Sequence, residues 1–171
     1  MFVEGYLFSL KRWYINDKIP LSLEKYLLLF SCELELIKNK NCKMSKLIID
    51  AVKDKIFLMI IGDDFKYSIT HENTKINYEK LIVLINEFLN KKKLDFKKIS
   101  QIYVNRGPGS FAGIRNSLSI VKAFHLTNKI DYYCFSFNDF GKKSNVKYEN
   151  IPNLCEKFKV EKNLINPLYL S

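Results

Sequence analysis

Between a strand-like run and a helix-like run, the chain places three glycines, a proline, a serine and two arginines in ten residues, Arg106-Gly-Pro-Gly-Ser-Phe-Ala-Gly-Ile-Arg115. A glycine-rich turn that enters a helix can hold a phosphate, because unpaired amides and the positive end of the helix dipole point at the same spot. Arg106 and Arg115 would add charge there. The same residues also suit a purely structural turn. Gly107 and Gly109 permit backbone angles or close approaches that a Cβ would block, and Pro108 stiffens the turn between them. Ser110 is placed to cap the helix, and Gly113, one turn inside it, lets the helix lie close to a neighbour. No G-K-[ST] or G-x-G-x-x-G follows, so the residues leave both uses open.

Elsewhere the residues that could do chemistry are sparse. His71 and His125 stand far apart in sequence, His71 in an expected polar loop and His125 on a polar stripe of a helix, and they assemble no metal site. Cys32, Cys42, Cys134 and Cys155 show neither a C-x-x-C pair nor a regular spacing, so neither zinc nor a disulfide framework is indicated and reduced thiols are expected. No Ser/His/Asp or Cys/His set can be proposed, so no catalytic residue is assigned. Asp50 is a carboxylate at the end of an expected strand.

Hydrophobic periodicity supplies the elements that must position these residues. From Met44 the order reads strand 46–51, strand 55–61, strand 65–70, helix 77–91, strand 100–105, helix 111–127 and strand 131–137, with polar turns at Lys53-Asp54 and Gly62-Asp63-Asp64. Three hairpin-linked strands followed by β-α-β units predict an α/β fold with a mixed sheet, of the ribonuclease-H-like or actin-like kind. A Gly/Lys/Ser/Asn segment at 141–150 leads to a short helix near Pro152 to Phe158. Residues 1–43 are aromatic and irregular, then helix-like from Leu21 to Leu34. Met44-Ser-Lys looks like a second beginning, so this segment is either an added helix or the product of a start placed too far upstream. The expected divisions are therefore 1–43, 44–140 and 141–171.

Composition narrows the class. At 171 residues with 47% apolar content, the chain is about one domain long and can pack an ordinary core. Its formal charge of +10 comes mostly from lysine, since Arg12, Arg106 and Arg115 are the arginines. That excess fits either an anionic partner or solvated lysines drawn from an AT-rich genome. Ile19 to Ile37 carries Glu24, Lys25, Glu33 and Glu35, charges that a membrane-spanning helix would not tolerate. With Glu4 early and no small-residue cleavage site, a signal peptide is not expected either.

Residues 104–115, VNRGPGSFAGIR, closely resemble the GRGPGSFTGxR signature of the TsaB (also called YeaZ) branch of the actin-like superfamily. Glu79-Lys-Leu-Ile-Val-Leu-Ile-Asn-Glu-Phe-Leu is similar to that family's first helix, Leu94-Asp-Phe-Lys-Lys-Ile-Ser to its lead into the motif strand, and Pro167-Leu-Tyr-Leu to its P-x-Y-L ending. The resemblance covers about Lys46 to Phe140 and the last few residues. Departures accompany it. Ile49-Asp50-Ala51-Val52 replaces I-D-T-S, removing hydroxyls where ATP-binding members contact phosphates and leaving Asp50 in a degenerate nucleotide site. Asn77 stands where a histidine is usual, Ser171 where arginine is, and the second lobe is reduced to about 35 residues.

The resemblance implies a non-catalytic subunit of the complex that makes N6-threonylcarbamoyladenosine at position 37 of tRNA. It would bind and activate the catalytic paralogue TsaD as a heterodimer, with a small ATPase, TsaE, able to join and tRNA met indirectly. ATP and metal are expected on the partners, the location is cytoplasmic, and no membrane is involved. Both helices suit such pairing, because apolar residues run beyond one face of each. Tyr78, Leu81, Ile82, Ile85, Phe88 and Leu89 form the expected core face of the first, and Phe111, Ile114, Leu118 and Val121 that of the second. The partner interface is assigned to Val83, Leu84, Leu118, Ile120, Val121 and Phe124, although the tail or the N-terminal segment could cover the same surface. Lys91, Lys92, Lys93, Lys97 and Lys98 could lie near tRNA. The rivals are a stand-alone nucleotide- or phosphate-binding module, a homodimer through these helices, and a glycoprotease-like hydrolase.

Overall fold

A computed structural model describes residues 44–72, 74–141 and 146–169, which fall in one unit of the chain, Lys43–Ser171. Residues 1–43, with Cys32 and Cys42, lie outside the described residues, as do Leu170 and Ser171. Strands β1 (Ser45–Asp50), β2 (Lys55–Ile61) and β3 (Lys66–Glu72) pair antiparallel, and β4 (Ile99–Asn105) and β5 (Asp131–Phe135) extend the sheet in parallel from β1. The order is β3-β2-β1-β4-β5. This is the mixed α/β sheet expected from three hairpin-linked strands and β-α-β units.

The burial of each strand follows its place in that order. Central β1 has Leu47, Ile48 and Ile49 fully buried, so it reads as a continuous apolar run rather than an alternation. Edge strand β3 is polar and mostly exposed. His71 therefore sits in β3, opposite Ile56, and not in a loop as its polar surroundings suggested.

Between β3 and β4 the expected helix 77–91 is two pieces, α1 (Lys75–Glu79) and α2 (Leu81–Lys91). It starts early because the Thr74 hydroxyl accepts from the Asn77 amide at 3.3 Å. Lys80 leaves helical geometry at φ −94° and ψ 10°. Hydrogen bonds from Lys80 N to Ile76 O and from Leu84 N to Lys80 O still span the break, so the apolar spacing runs through it unmarked. Leu81, Ile85, Phe88 and Leu89 of α2, with Ile114, Leu118 and Val121 of α3 (Phe111–Asn128), cover one sheet face. Ile82, expected in that core, is exposed instead.

The other sheet face presents Ile48, Met59, Tyr103 and Phe135. Residues after β5 seal it, through the 3-10 helix Phe137–Phe140 and α4 (Ile151–Lys157), which bring Phe140, Ile151 and Cys155 into a second cluster. Burying a side chain such as Phe140 or Ile151 contributes about 1.5–3 kcal/mol. Strand β5 stops at Phe135, short of the expected 137, because Ser136 and Asp139 form a capping box that turns the chain into the 3-10 helix.

Candidate functional site

The C-terminal ends of β1 and β4 lie side by side, and this is where the sequence placed its chemistry. Asp50 ends β1 and Asn105 ends β4, each only 2% exposed. Asn105 Nδ2 donates to Asp50 Oδ2 at 2.9 Å, while Asn105 Oδ1 accepts from the Gly107 amide at 3.0 Å. Asp50 Oδ1 accepts from the Val52 amide at 3.1 Å. A third donor comes from far along the chain, the Tyr148 hydroxyl, at 2.7 Å from Asp50 Oδ2. The Tyr148 ring stacks on Phe57 with centroids 4.0 Å apart. Burial, then the neighbouring Asp50 charge, pushes the Tyr148 phenol far above its ordinary range. The carboxylate is thus buried and takes three hydrogen bonds from the chain's own donors.

The motif loop turns inward in the same way. Gly107 has φ +108°, a conformation that favours glycine, and a Cβ on it would run into the Leu168 carbonyl and Ile114. Gly109 lies against Val52, where a Cβ would collide with that residue's backbone and side chain. The Ser110 amide donates to Val52 O at 2.7 Å, and the Ser110 hydroxyl accepts from the Gly113 amide at 3.4 Å, so Ser110 caps α3. Pro108 follows Gly107 through a cis peptide.

Arg106 is directed along the tail. Its guanidinium donates to Asp139 Oδ1 at 2.7 Å and to the Asn166 carbonyl at 3.0 Å, and its carbonyl accepts from the Leu168 amide at 2.8 Å. Arg115 is exposed on α3. The two arginines therefore do not converge on a nest of amides. The amides of Gly107, Ser110 and Gly113 and two nitrogens of the Arg106 guanidinium are engaged within the chain, so these groups serve the turn itself. The loop receives the Pro167-Leu-Tyr ending. Gly109 bridges Tyr169, whose ring lies 4.9 Å from that of Phe111.

The rest of the tail is sewn to β5. The Asn163 amide donates to Tyr132 O, and its Oδ1 and carbonyl accept from the Tyr132 amide and hydroxyl. Its Nδ2 donates to Asp131 at 2.8 Å, a bond that is the main reason the Asp131 carboxyl is held below its usual range. Tyr148, Asp139 and Asn163 are residues the sequence reading missed. Ser136-Phe-Asn-Asp139 carried a capping-box signal that could have found Asp139. Tyr148 and Asn163 act over long sequence separations and carry no local mark.

The histidines lie towards opposite edges of the sheet. His71 is on β3, while His125 Nδ1 is 3.0 Å from the carbonyl of Ile130, beside β5. Among the described residues, no group of three or more His, Cys, Asp or Glu could hold a metal ion, and no helix is long and apolar enough to cross a membrane. Cys134 and Cys155 are buried free thiols, each pushed up to about 12 by burial. Such thiols are poor nucleophiles at neutral pH.

The expected partner interface needs correction. Leu118 and Val121 belong to the core because they face the sheet. Leu84, Ile120 and Phe124 are half-buried against that core, with Phe124 packed 4.5 Å from Phe96. Of the six, Val83 alone is exposed. The solvent side of α3 shows Ala112, Arg115, Ser119, Lys122 and Ala123 with two large apolar side chains, Leu126 and Phe111, the latter expected in the core but exposed at the helix start, where it packs on Tyr169.

Comparison with known proteins bears on the same segment. The family model "TsaD: tRNA N6-adenosine threonylcarbamoyltransferase" matches residues 72–136. The chain is 27% identical over 89 residues to the tRNA threonylcarbamoyladenosine biosynthesis protein TsaB of Buchnera aphidicola subsp. Acyrthosiphon pisum, covering 51% of this chain and 40% of that one. It is 32% identical over 68 residues to the TsaB of Buchnera aphidicola subsp. Baizongia pistaciae, covering 34% and 31%. It therefore spans less than half the length of these relatives. Among solved structures, YeaZ from Pseudomonas aeruginosa superposes with a TM-score of 0.51 at 16% identity, over 54% of this chain and 44% of that one. At that identity the likeness speaks for the fold.

Proposed function

We propose that this chain, which resembles the TsaB proteins it matches, serves tRNA threonylcarbamoyladenosine biosynthesis as a non-catalytic subunit that binds and activates a TsaD-type paralogue. The observation that carries this is the exposure of large apolar side chains on the helices. Ile76 of α1 is 61% exposed, Ile82 and Val83 of α2 are 39% and 46% exposed, and Leu126 of α3 is 60% exposed. The sheet accounts for the inner faces of α2 and α3, so these residues are apolar surplus of the kind that marks a helix-packing interface. Small residues on the outer stripe of α3 would let a partner helix approach closely.

Two further features support an accessory role. Asp50 is closed over by Tyr148, Asn105 and Val52, and the motif loop packs on the tail rather than opening to a ligand. A nucleotide would have to displace these contacts to reach the strand end. The test is co-expression with the TsaD of the same genome, followed by size-exclusion chromatography with light scattering. A one-to-one complex that is lost on Val83→Asp or Ile82→Asp supports the proposal. A monomer that ignores TsaD refutes it.

A further inference from the structure

We infer that the corner between α2 and β4 is a direct contact for the phosphate backbone of RNA. Lys91, Lys92, Lys93, Lys97 and Lys98 lie within eight residues, opposed there only by Asp95, so this corner carries a net charge of +4 in a chain whose formal net charge is +10. All five lysines are exposed. None of them is in the ion pairs found among the described residues, whereas Lys66 and Lys162 are paired with Glu149 and Asp131. The negative end of α2 favours cations in its last turn, but that effect fades within a turn and does not account for Lys97 and Lys98 on the 3-10 helix Phe96–Lys98. Asp95 is itself engaged, accepting from the Lys97 amide at 3.0 Å.

The surroundings suit nucleic acid more than other polyanions. A cavity of about 320 Å³ opens beside Lys93, lined also by Asn86, Asn90, Asp95 and Phe96. Its two side-chain amides can bond sugars or base edges. Lys92 Nζ lies 4.4 Å from the centroid of the Tyr67 ring, which also stacks on Phe65 at 5.2 Å, so an aromatic pair stands beside the charge. An anionic membrane would want an apolar anchor at this end of α2, but Phe88 and Leu89 are buried in the core. The choice of RNA within this class rests on the proposed role in tRNA modification.

The experiment is an anisotropy titration of a labelled RNA hairpin onto the full chain over a series of salt concentrations, with inorganic polyphosphate and phosphatidylserine vesicles as parallel arms. Wild type should bind RNA with a steep salt dependence. Changing all five lysines to Gln should lower the log-log salt slope by roughly 0.7–0.9 for each lysine that meets a phosphate. Unchanged RNA affinity and slope in that variant overturn the inference, as does binding of vesicles without RNA, or polyphosphate competing equally with RNA at equal charge. Co-elution with TsaD is read on the same variant. Co-elution with unaltered RNA binding removes the RNA contact alone, whereas failure of wild type to co-elute removes the subunit proposal.

Discussion

The hydroxyl of Tyr148 donates to the carboxylate of Asp50 at 2.7 Å, across 98 residues of sequence. This bond joins the segment after β5 to the end of the central strand, and with it the second sheet face is closed by residues from the C-terminal third of the chain.

Tyr148→Phe should therefore cost about 1–3 kcal/mol, the range for leaving a buried charged acceptor short of a donor. Tyr148→Ala should cost more, because the stack on Phe57 goes as well. Urea unfolding followed by circular dichroism measures both. Wild-type stability in Tyr148→Phe would show that the bond holds nothing together. Magnesium ATP titrated onto the wild-type chain should give no saturable heat while Tyr148 covers Asp50.

Stability should also fall in alkali. Burial pushes the Cys134 and Cys155 thiols up from 9.0 to about 12. Their folded values lie above the unfolded ones, so their contribution is complete below about pH 9 and is lost as the pH rises towards 12. In that window the unfolded chain has released protons that the native state still holds, and the slope of stability against pH is negative. Burial raises Tyr103 and Tyr148 in the same direction. Urea midpoints should stay level up to about pH 9 and then decline, with a shallower decline in Cys134→Ala/Cys155→Ala. A midpoint flat through this window contradicts the burial of both thiols.

Gly107→Ala should destabilise by at least about 1–3 kcal/mol, the usual cost of one strained backbone position, since φ +108° and the Leu168 carbonyl both oppose a Cβ. Thermal unfolding reads the loss. Limited proteolysis should show the tail near Leu168 released first, because its amide bonds to the carbonyl of Arg106. An Ala variant of unchanged melting temperature and protease resistance would mean that the loop does not hold the tail.

The hairpin-linked strands, the mixed sheet that they and the β-α-β units imply, and the capped turn were legible in the sequence because their signals are local. Buried β1 writes itself as Leu47-Ile-Ile, and Ser110 announces the start of α3. The break at Lys80 was not legible, because the apolar spacing passes through it and the flanking hydrogen bonds persist. The outward residues were misjudged for a related reason. Periodicity shows which side chains share a face but not which face meets the sheet, so Leu118 and Val121 were assigned both to the core face, where they lie, and to a partner, while Ile82 and Phe111 were assigned to the core and are exposed. The closure of Asp50 had no sequence signal, since Tyr148 reaches it only through the tertiary fold.

The most direct measurement is threonylcarbamoyl transfer to tRNA by the TsaD of the same genome, with this chain absent, present, or present as Val83→Asp. The expected result is strong stimulation by wild type, and loss of most of that stimulation in Val83→Asp with its melting temperature unchanged. Equal transfer in all three reactions would contradict a role as an activating subunit.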